Sequence, residues 1–470
     1  MLSCAFETVS APRDVGIAQH RLAQWCAASA RGDWAAFANR LRRDGLVIGD
    51  VRARFEAPRL RVGAEPPRWF ADAQWVQEAL CGGRAGDDEQ TAYPFEPLLS
   101  PLADAAAGRL WAAVGCAADR FSSSARGSLR SLLLAQLCHL CAAALYERFV
   151  QRVDYRAFLQ SMKDSGLQQL FDEKPVLLRL LASSTRQWLD TSREFVERLD
   201  SDLAQVRRTL LSADSDSRVE LVGGGLSDPH RGGHSVLSVQ FGDGRTVMYK
   251  PKDLRIDVAW RALVEQLNAD APITLRTARV VAGDGYGWTE FVDHRAAADA
   301  DGCRQYFRRV GAWLALFHCF AAGDMHQDNL IAASDHPVPV DLETILQPDL
   351  EQRTDRVPEA AAANAAREMI ANSVLSVGLL PVFARSPDND VYSVGGVAAD
   401  AGTRRRLRWV DVNSDSMRPE FVEENNAFTN LPTLGGRPVR VTEHLDDLVG
   451  GFGDYSAFLM RYARTADLFT

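Results

Sequence analysis

The sequence has no excess of positive charge and no targeting segment at its start. Its 470 residues include 53 Lys and Arg against 62 Asp and Glu, a net charge of −9. This balance gives no basic surface for nucleic acid or an anionic membrane, so we expect neither as a partner. The N-terminus has neither a basic start nor a hydrophobic signal region, and no apolar run approaches membrane-spanning length. We therefore expect a cytoplasmic protein without a membrane span.

Cysteine is scarce, and its eight residues are scattered along the chain. Only Cys138 and Cys141 have the CxxC spacing of many zinc and redox sites, and they lie in an apolar helical run with no second pair. Buried free thiols explain this pair better than a metal site or a disulfide. The cysteine usage fits a reduced compartment.

The chain changes character near residue 218. Before it, apolar residues recur at helical spacing, most clearly at residues 129–144 and 174–211. This pattern predicts a mainly helical domain over residues 1–215. After it come short runs typical of strands, separated by turn signals such as Gly242-Asp-Gly244. The fold class that we predict is α+β.

The rest of the chain is predicted to form a small sheet with one helix, followed by a second lobe. The sheet and its helix occupy residues 216–300, and the second lobe occupies residues 301–470. The predicted strands cover residues 219–222, 235–241, 246–249, 277–281 and 288–292, and the predicted helices cover residues 257–267 and 304–320. A small sheet with one helix has the shape of a protein kinase N-lobe.

The stretch Asp324-Met-His326-Gln-Asp-Asn329, followed by Asp341-Leu-Glu343, carries the strongest signal. Kinase-type phosphoryl transfer needs an Asp that orients the hydroxyl, an Asn that holds metal and a later Asp that holds the metal on the nucleotide phosphates. We therefore predict Asp324 as the hydroxyl-orienting base, with Asn329 and Asp341 as Mg²⁺ ligands and Glu343 in support. His326 either polarises Asp324 or contacts phosphate, or it is structural. The alternative for the whole stretch is a turn network in which Asp and Asn bond backbone amides.

Upstream, Tyr249-Lys250-Pro-Lys252 ends the third predicted strand with two cations suited to nucleotide phosphates. The alternative is two exposed lysines, the usual environment of this residue. Their position favours Lys250 as the phosphate-binding lysine, with Lys252 beside it. Its partner is expected to be an acid on the following helix, and Glu265 is the candidate. Glu290 lies where the hinge of a kinase would contact the nucleotide.

A glycine-rich loop, Gly223-Gly-Gly225, leads into Asp228-Pro-His230 and further glycines. Glycine lets the backbone approach phosphates closely, but the loop is neither a Walker A motif nor a clean G-x-G-x-x-G. An acid beside a histidine is suited to proton transfer. Asp228 and His230 are therefore candidate catalytic residues, and the alternative is an Asp-Pro turn with an incidental His.

Several segments together resemble one family, the class II lanthipeptide synthetases, in their N-terminal dehydratase domain. The resemblance extends over nearly the whole chain, including the helical first half. The matching segments are Ser227–Ser235, Tyr249–Lys252, Gly285–Val292, Asp324–Leu330, Val340–Thr344, Ser373–Pro381 and Asn413–Met417.

The resemblance implies a two-step dehydration on a divergent kinase fold similar to that of lipid kinases. Such enzymes bind a ribosomal precursor peptide by its leader, phosphorylate Ser and Thr of its core with ATP and Mg²⁺, and then eliminate phosphate to give dehydroalanine and dehydrobutyrine. By the same resemblance, Arg408 and Ser414 match positions associated with elimination, although the family favours Thr at position 414. Asp228 and His230 serve the same active site. Lys250 is a candidate base if its pKa is lowered.

The chain departs from full-length members of the family, which continue with more helices and a cyclase domain that holds zinc. We expect an incomplete C-lobe, no zinc and no ring closure by this polypeptide, with a separate cyclase polypeptide as a possible partner. Two other functions stay open: a kinase that phosphorylates without elimination, and an inactive peptide-binding fragment of a split synthetase. The leader-binding surface is open too, with the helical domain and the sheet edge as candidates.

Overall fold

The computed structural model describes most of the chain, which divides into two compact units. The first unit comprises residues 1–83 and 162–186, and the second comprises residues 84–161 and 187–470. The described residues are 6–8, 15–55, 58–60, 65–82, 92–152, 154–211, 217–346, 361–385, 391–398, 404–424 and 429–465. The predicted domain boundaries at residues 215 and 300 both fall inside the second unit.

Helices account for most of the first half and return near the end. In chain order they are α1 (Val15–Ala30), α2 (Trp34–Arg43), α3 (Ile48–Phe55), α4 (Arg68–Gly82), α5 (Glu96–Ala113), α6 (Ser123–Phe149), α7 (Tyr155–Ser161), α8 (Leu167–Glu173), α9 (Pro175–Val206), α10 (Arg255–Asn268), α11 (Ala300–Cys319), α12 (Ala361–Ala371) and α13 (Leu445–Thr465).

The strands are short, and most of them follow residue 218, as the sequence predicts. In chain order they are β1 (Phe6–Thr8), β2 (Pro58–Leu60), β3 (Val219–Gly223), β4 (Leu237–Phe241), β5 (Thr246–Lys250), β6 (Val280–Ala282), β7 (Gly287–Glu290), β8 (Leu330–Ala333), β9 (His336–Pro339), β10 (Val382–Arg385), β11 (Val391–Val394), β12 (Arg404–Val410), β13 (Arg418–Glu424), β14 (Thr433–Leu434) and β15 (Arg437–Pro438).

The first unit has a small helical core formed by α1, α2 and α3. Asp33 caps α2, because its carboxylate accepts hydrogen bonds from Ala35 N at 2.8 Å and Ala36 N at 3.1 Å. These two amides would otherwise be unpaired at the start of a helix. Phe37 and Leu41 of the same helix are buried in the core.

In the second unit, five antiparallel strands form a sheet in the order β3-β4-β5-β7-β6, with α10 connecting β5 to β6. The C-terminal part of α9 packs on this sheet. The ring of Phe195 lies 5.2 Å from that of Tyr249 and 6.2 Å from that of Trp288. Arg198 donates a hydrogen bond to Tyr249 Oη at 2.6 Å. This packing explains why no boundary between compact units lies near residue 215.

The expectation that no apolar run approaches membrane-spanning length is wrong for helix α6. This helix is long and apolar enough to cross a membrane by length and composition. It packs against α5 and β3, and Leu129, Leu133 and Leu137 are buried. A buried core helix passes the same test of length and composition, so this helix does not indicate a membrane span. Cys138 and Cys141 are buried free thiols, as predicted, and burial raises the pKa of Cys141 to about 12.

Two glycines bring the backbones of α11 and α13 together. A Cβ atom on Gly311 would lie 2.0 Å from Leu448 O, and one on Gly451 would lie 2.0 Å from Arg308 O. Any side chain at either glycine would force the helices apart. The core beside these two helices contains stacked aromatic rings. Trp260 of α10 stacks on Phe317 of α11 with ring centroids 5.7 Å apart.

Candidate active site

The hairpin β8–β9 brings the predicted metal ligands to one of its ends. Leu330 pairs with Pro339 in the ladder, so the residues just outside the two strands also face each other. Val340 N donates a hydrogen bond to Asn329 O at 3.0 Å. Asn329 and Asp341, twelve residues apart in sequence, therefore lie at the same end of one hairpin.

Lys250, the last residue of β5, and Lys252, just after it, both reach this end of the hairpin. Lys250, at the end of β5, is 7% exposed, and its Nζ donates a hydrogen bond to Val340 O. Lys252 Nζ lies 2.5 Å from Asp341 Oδ1 and 2.9 Å from Glu343 Oε2. The sheet and the hairpin thus join two cations and two acids that are about 90 residues apart in sequence.

These charges shift one another's pKa values. Burial works against the ionised form of Asp341, but Lys250 and Lys252 outweigh it and lower the pKa of the carboxyl. Burial also works against the charge of Lys252, but Asp341 and Glu343 raise its pKa. For Lys250, burial dominates and lowers the pKa. The centre therefore combines an ionised acid with a buried lysine whose proton is held less tightly than usual.

The acid that acts on Lys250 from the following helix is Asp257, so the prediction of Glu265 was wrong. Helix α10 begins soon after Lys252, which places its first turn, and not its last, beside Lys250. Asp257 is 6% exposed, and burial raises its pKa, opposed by Lys250 and Lys252. Glu265 pairs instead with Arg261 at 2.7 Å.

The sequence contained a signal for Asp257. The buried apolar residues Trp260, Val264 and Leu267 mark the inner face of α10. Asp257 precedes Trp260 by three residues and so shares that face. Glu265 lies on the opposite, exposed side.

The loop that carries Asp324 lies between α11 and β8, and side chains within it hold its shape. Asp324 adopts φ +57°, the left-handed region that Asp tolerates better than most residues. Asn329 Nδ2 donates to Asp324 O at 2.9 Å, and His326 Nδ1 accepts from Asp328 N at 3.2 Å. The turn network that was the alternative therefore exists in part. The Asp324 carboxylate is exposed, with Oδ1 3.8 Å from His326 Nε2.

The donor set at the hairpin end fits a magnesium ion. Mg²⁺ in proteins takes oxygen ligands, often one or two carboxylates together with substrate phosphates and water. Asp341 supplies an ionised carboxylate, and Asn329 supplies an amide oxygen. Within the described ranges, no three His, Cys, Asp or Glu side chains form a metal cluster. A metal would therefore depend on Asp341, on Asn329 and on oxygens from nucleotide and water, with Glu343 in support, because the carboxylates of Glu343 and Asp341 share Lys252 Nζ.

Asp228 and His230 lie on the loop between β3 and β4, and both are exposed. The loop is closed by paired backbone bonds, His230 N to His234 O at 2.8 Å and His234 N to His230 O at 2.9 Å. His234 also contacts Glu194 of α9, with Nε2 3.0 Å from Oε2. The geometry gives Asp228 and His230 an accessible place on an ordered loop, and their proposed role in catalysis stays a prediction.

Arg408 and Ser414 lie on a separate two-stranded ribbon, which consists of β12, β13 and the turn between them. Arg408 is an exposed residue of β12, opposite Glu420 of β13. Ser414 follows in the turn, where its Oγ donates to Asp411 O at 2.7 Å. Trp409, next to Arg408, contacts the ring of Tyr146 at 5.0 Å.

The Glu290 side chain has a structural role, and the contact of this residue with the nucleotide stays a prediction. Its carboxylate pairs with Arg279 at 2.7 Å and with Arg276 at 3.2 Å. Arg279 also donates to the carbonyls of Thr209 and Leu210, just after α9. The Glu290 side chain therefore ties the edge of the sheet to the end of that helix.

Comparison with known proteins identifies the family of this chain. A family model described as a domain of unknown function, DUF4135, matches residues 175–468. The chain belongs to this family. The Lacticin 481/lactococcin biosynthesis protein LcnDR2 of Lactococcus lactis subsp. lactis is 22% identical over 243 residues. That match covers 50% of this chain but only 26% of the relative. The two matches confirm the resemblance of this DUF4135 member to class II lanthipeptide synthetases.

Proposed function

We propose that this chain dehydrates Ser and Thr residues of a lanthipeptide precursor peptide, using ATP and Mg²⁺. The family and the similarity to a lacticin biosynthesis protein support a role in lanthipeptide maturation. The observation that carries the chemistry is the convergence of Lys250, Lys252 and Asp341 at the hairpin end that also holds Asn329. The proposal includes a divergent kinase fold, with the five-stranded sheet and α10 as its N-lobe.

The first proposed step is phosphorylation. The Ser or Thr oxygen attacks the γ-phosphorus of ATP, the bond to the bridging oxygen breaks, and ADP leaves. Asp324, with its exposed carboxylate, orients the hydroxyl and receives its proton. Lys250 and Lys252 offset the charge of the nucleotide phosphates. Asn329 and Asp341 would hold a magnesium ion, which would supply positive charge to offset the charge that develops on those phosphates.

The second proposed step is elimination. A base removes the α-proton of the phosphorylated residue, the bond between Cβ and oxygen breaks, and phosphate leaves as the carbon–carbon double bond forms. Lys250 is a candidate base, because burial lowers its pKa. Arg408 and Ser414 stabilise the departing phosphate, because a cation and a hydroxyl donor offset the negative charge that develops on it. Asp228 and His230 assist proton transfer from the loop between β3 and β4.

Intact mass spectrometry tests this function. The full chain is incubated with ATP, Mg²⁺ and a leader-bearing lanthipeptide precursor, of which the lacticin 481 precursor is the first choice. Asp341→Asn serves as the inactive control. We expect the loss of one water per modified residue, abolished in the control. A phosphorylated peptide that never loses phosphate would contradict the proposed dehydratase activity and would support a kinase that phosphorylates without elimination.

A further inference from the structure

The turn that follows β12 is anchored to a distant helical segment, residues 92–161. Asn413 Oδ1 accepts hydrogen bonds from Phe95 N at 2.7 Å and from Tyr155 Oη at 2.5 Å. Asn413 Nδ2 donates to Tyr93 O at 2.8 Å. The partners are between 258 and 320 residues apart in sequence. One side chain therefore joins the turn to three points of the helical segment.

A second side chain of the turn completes the anchor. Asp415 Oδ1 accepts a hydrogen bond from Tyr155 N at 2.7 Å, at the first residue of α7. Asn413 and Asp415 flank Ser414, so the backbone is fixed on both sides of the serine hydroxyl. On the other side of the turn, Trp409 packs on Tyr146 of α6 directly after Arg408.

The anchor is buried and conformationally specific. Tyr155 is 4% exposed, so removal of its partner leaves a buried hydroxyl without its bond. Asn413 adopts φ +61°, which asparagine accepts more easily than most residues. Its residue type is therefore suited both to the backbone conformation and to the bonds.

We propose that Tyr155 and Asn413 are positioning residues for the elimination step, and that the helical segment 92–161 is the platform that fixes Arg408 and Ser414. This inference rests on the proposed function and adds that different parts of the fold position the residues of its two steps. The phosphorylation centre is held by the sheet and the β8–β9 hairpin, whereas Arg408 and Ser414 are held by the helical segment. Loss of the anchor should then slow elimination and spare phosphorylation.

The test uses the full chain and the variants Tyr155→Phe and Asn413→Gly. The first deletes only the hydroxyl, and the second removes the anchoring side chain while keeping a residue that accepts positive φ. Tyr306→Phe is the matched control, because its buried hydroxyl also donates a bond of 2.5 Å, to Asn430 O, away from the turn. Mass spectrometry over time measures phosphorylated and dehydrated peptide separately.

We expect the ratio of phosphorylated to dehydrated peptide to rise about tenfold in Tyr155→Phe and further in Asn413→Gly. The rate of phosphorylation should stay within about twofold of that of the unaltered chain, as one lost neutral bond outside that centre implies. The ratio should not change in Tyr306→Phe. An unchanged ratio in both anchor variants, or an equal loss of both steps, would overturn the inference.

A second substrate separates this inference from the proposed function. A precursor that already carries phosphoserine, supplied with ADP and Mg²⁺, reports elimination alone. Slower loss of phosphate in Tyr155→Phe than in Tyr306→Phe supports the platform, and equal rates overturn it. If the unaltered chain fails to phosphorylate the plain precursor, the proposed function fails, and the phosphoserine substrate still decides the inference.

Discussion

The two groups of proposed catalytic residues are held in different ways. At the proposed phosphorylation centre the charged side chains contact one another, since Lys252 pairs with Asp341 and Glu343, and Lys250 bonds the neighbouring carbonyl of Val340. On the ribbon the neighbours Trp409, Asn413 and Asp415 make the long-range contacts. A substitution in the charged centre therefore changes a proposed catalytic group and a local contact at the same time. On the ribbon, the residues that fix the turn can be changed without changing Arg408 or Ser414.

The largest effect is expected at the charged centre. Asp341→Asn removes the ionised carboxylate that pairs with Lys252 and is proposed to hold metal, so phosphorylation should fall by at least about 100-fold. The measurement is the initial rate of phosphopeptide plus dehydrated peptide by mass spectrometry. Asp335→Asn is the control, because Asp335 lies at the other end of the same hairpin and pairs with Arg309 at 2.8 Å. Similar losses in both variants would mean that the hairpin, and not the carboxylate, matters.

Arg408→Gln should separate the two steps. The guanidinium is proposed to stabilise the departing phosphate, so its loss should slow elimination by roughly 100-fold and leave phosphorylation near normal. Phosphopeptide should accumulate in the time course. Arg304→Gln, a surface residue paired with Asp301 at 2.6 Å, is the control. Absence of phosphopeptide in Arg408→Gln would place Arg408 in the first step.

Asp257→Asn is expected to lower activity and raise stability. Burial raises the pKa of Asp257, so the folded protein binds this proton more tightly than the unfolded chain does. The free energy of unfolding of the unaltered chain therefore falls as pH rises from about 3.9 towards the raised pKa. The variant lacks this loss, so its stability advantage over the unaltered chain should grow through that window.

Urea unfolding of both proteins at several pH values measures this difference. Phosphorylation by Asp257→Asn should fall, because Lys250 loses a nearby negative charge. Glu265→Gln is the control, since Glu265 pairs with Arg261 on the exposed side of the same helix. A variant that is less stable than the unaltered chain at every pH would show that Asp257 is a stabilising partner, contrary to this account.

Glu343→Gln should give the smallest effect. Glu343 contacts Lys252, but its side chain is 62% exposed against 31% for Asp341. Water screens an exposed charge, so we expect phosphorylation to fall by less than about tenfold. Titration of Mn²⁺ in the presence of ATP, followed by electron paramagnetic resonance, should show weaker loss of binding than in Asp341→Asn. Equal losses would make Glu343 a direct ligand.

Much of the local structure followed from sequence patterns. The strands β3, β4 and β5 and the helix α10 lie close to their predicted ranges, because alternation and helical spacing are local signals. The order of motifs also predicted that Lys250 and Asp341 belong to one site. The choice between Asp257 and Glu265 depends on where α10 begins and on which face of that helix is buried.

The contacts that hold the ribbon were not predictable in this way. Tyr155 and Asn413 are 258 residues apart, and neither belongs to a pattern that points to the other. The pairing of Glu290 with Arg279 likewise depends on the register of β6 and β7 and on the path of the chain after α9. Such contacts are set by tertiary packing, on which a single sequence carries no periodic signal.

The most direct test of the account compares Asp341→Asn, Arg408→Gln and the double variant in one mass-spectrometric time course with the same precursor, ATP and Mg²⁺. If the two regions act in succession, Arg408→Gln accumulates phosphopeptide, and both Asp341→Asn and the double variant leave the peptide unmodified. Phosphopeptide in the double variant, or its absence from Arg408→Gln while dehydration is lost, would contradict the assignment of the two steps to two separately held regions.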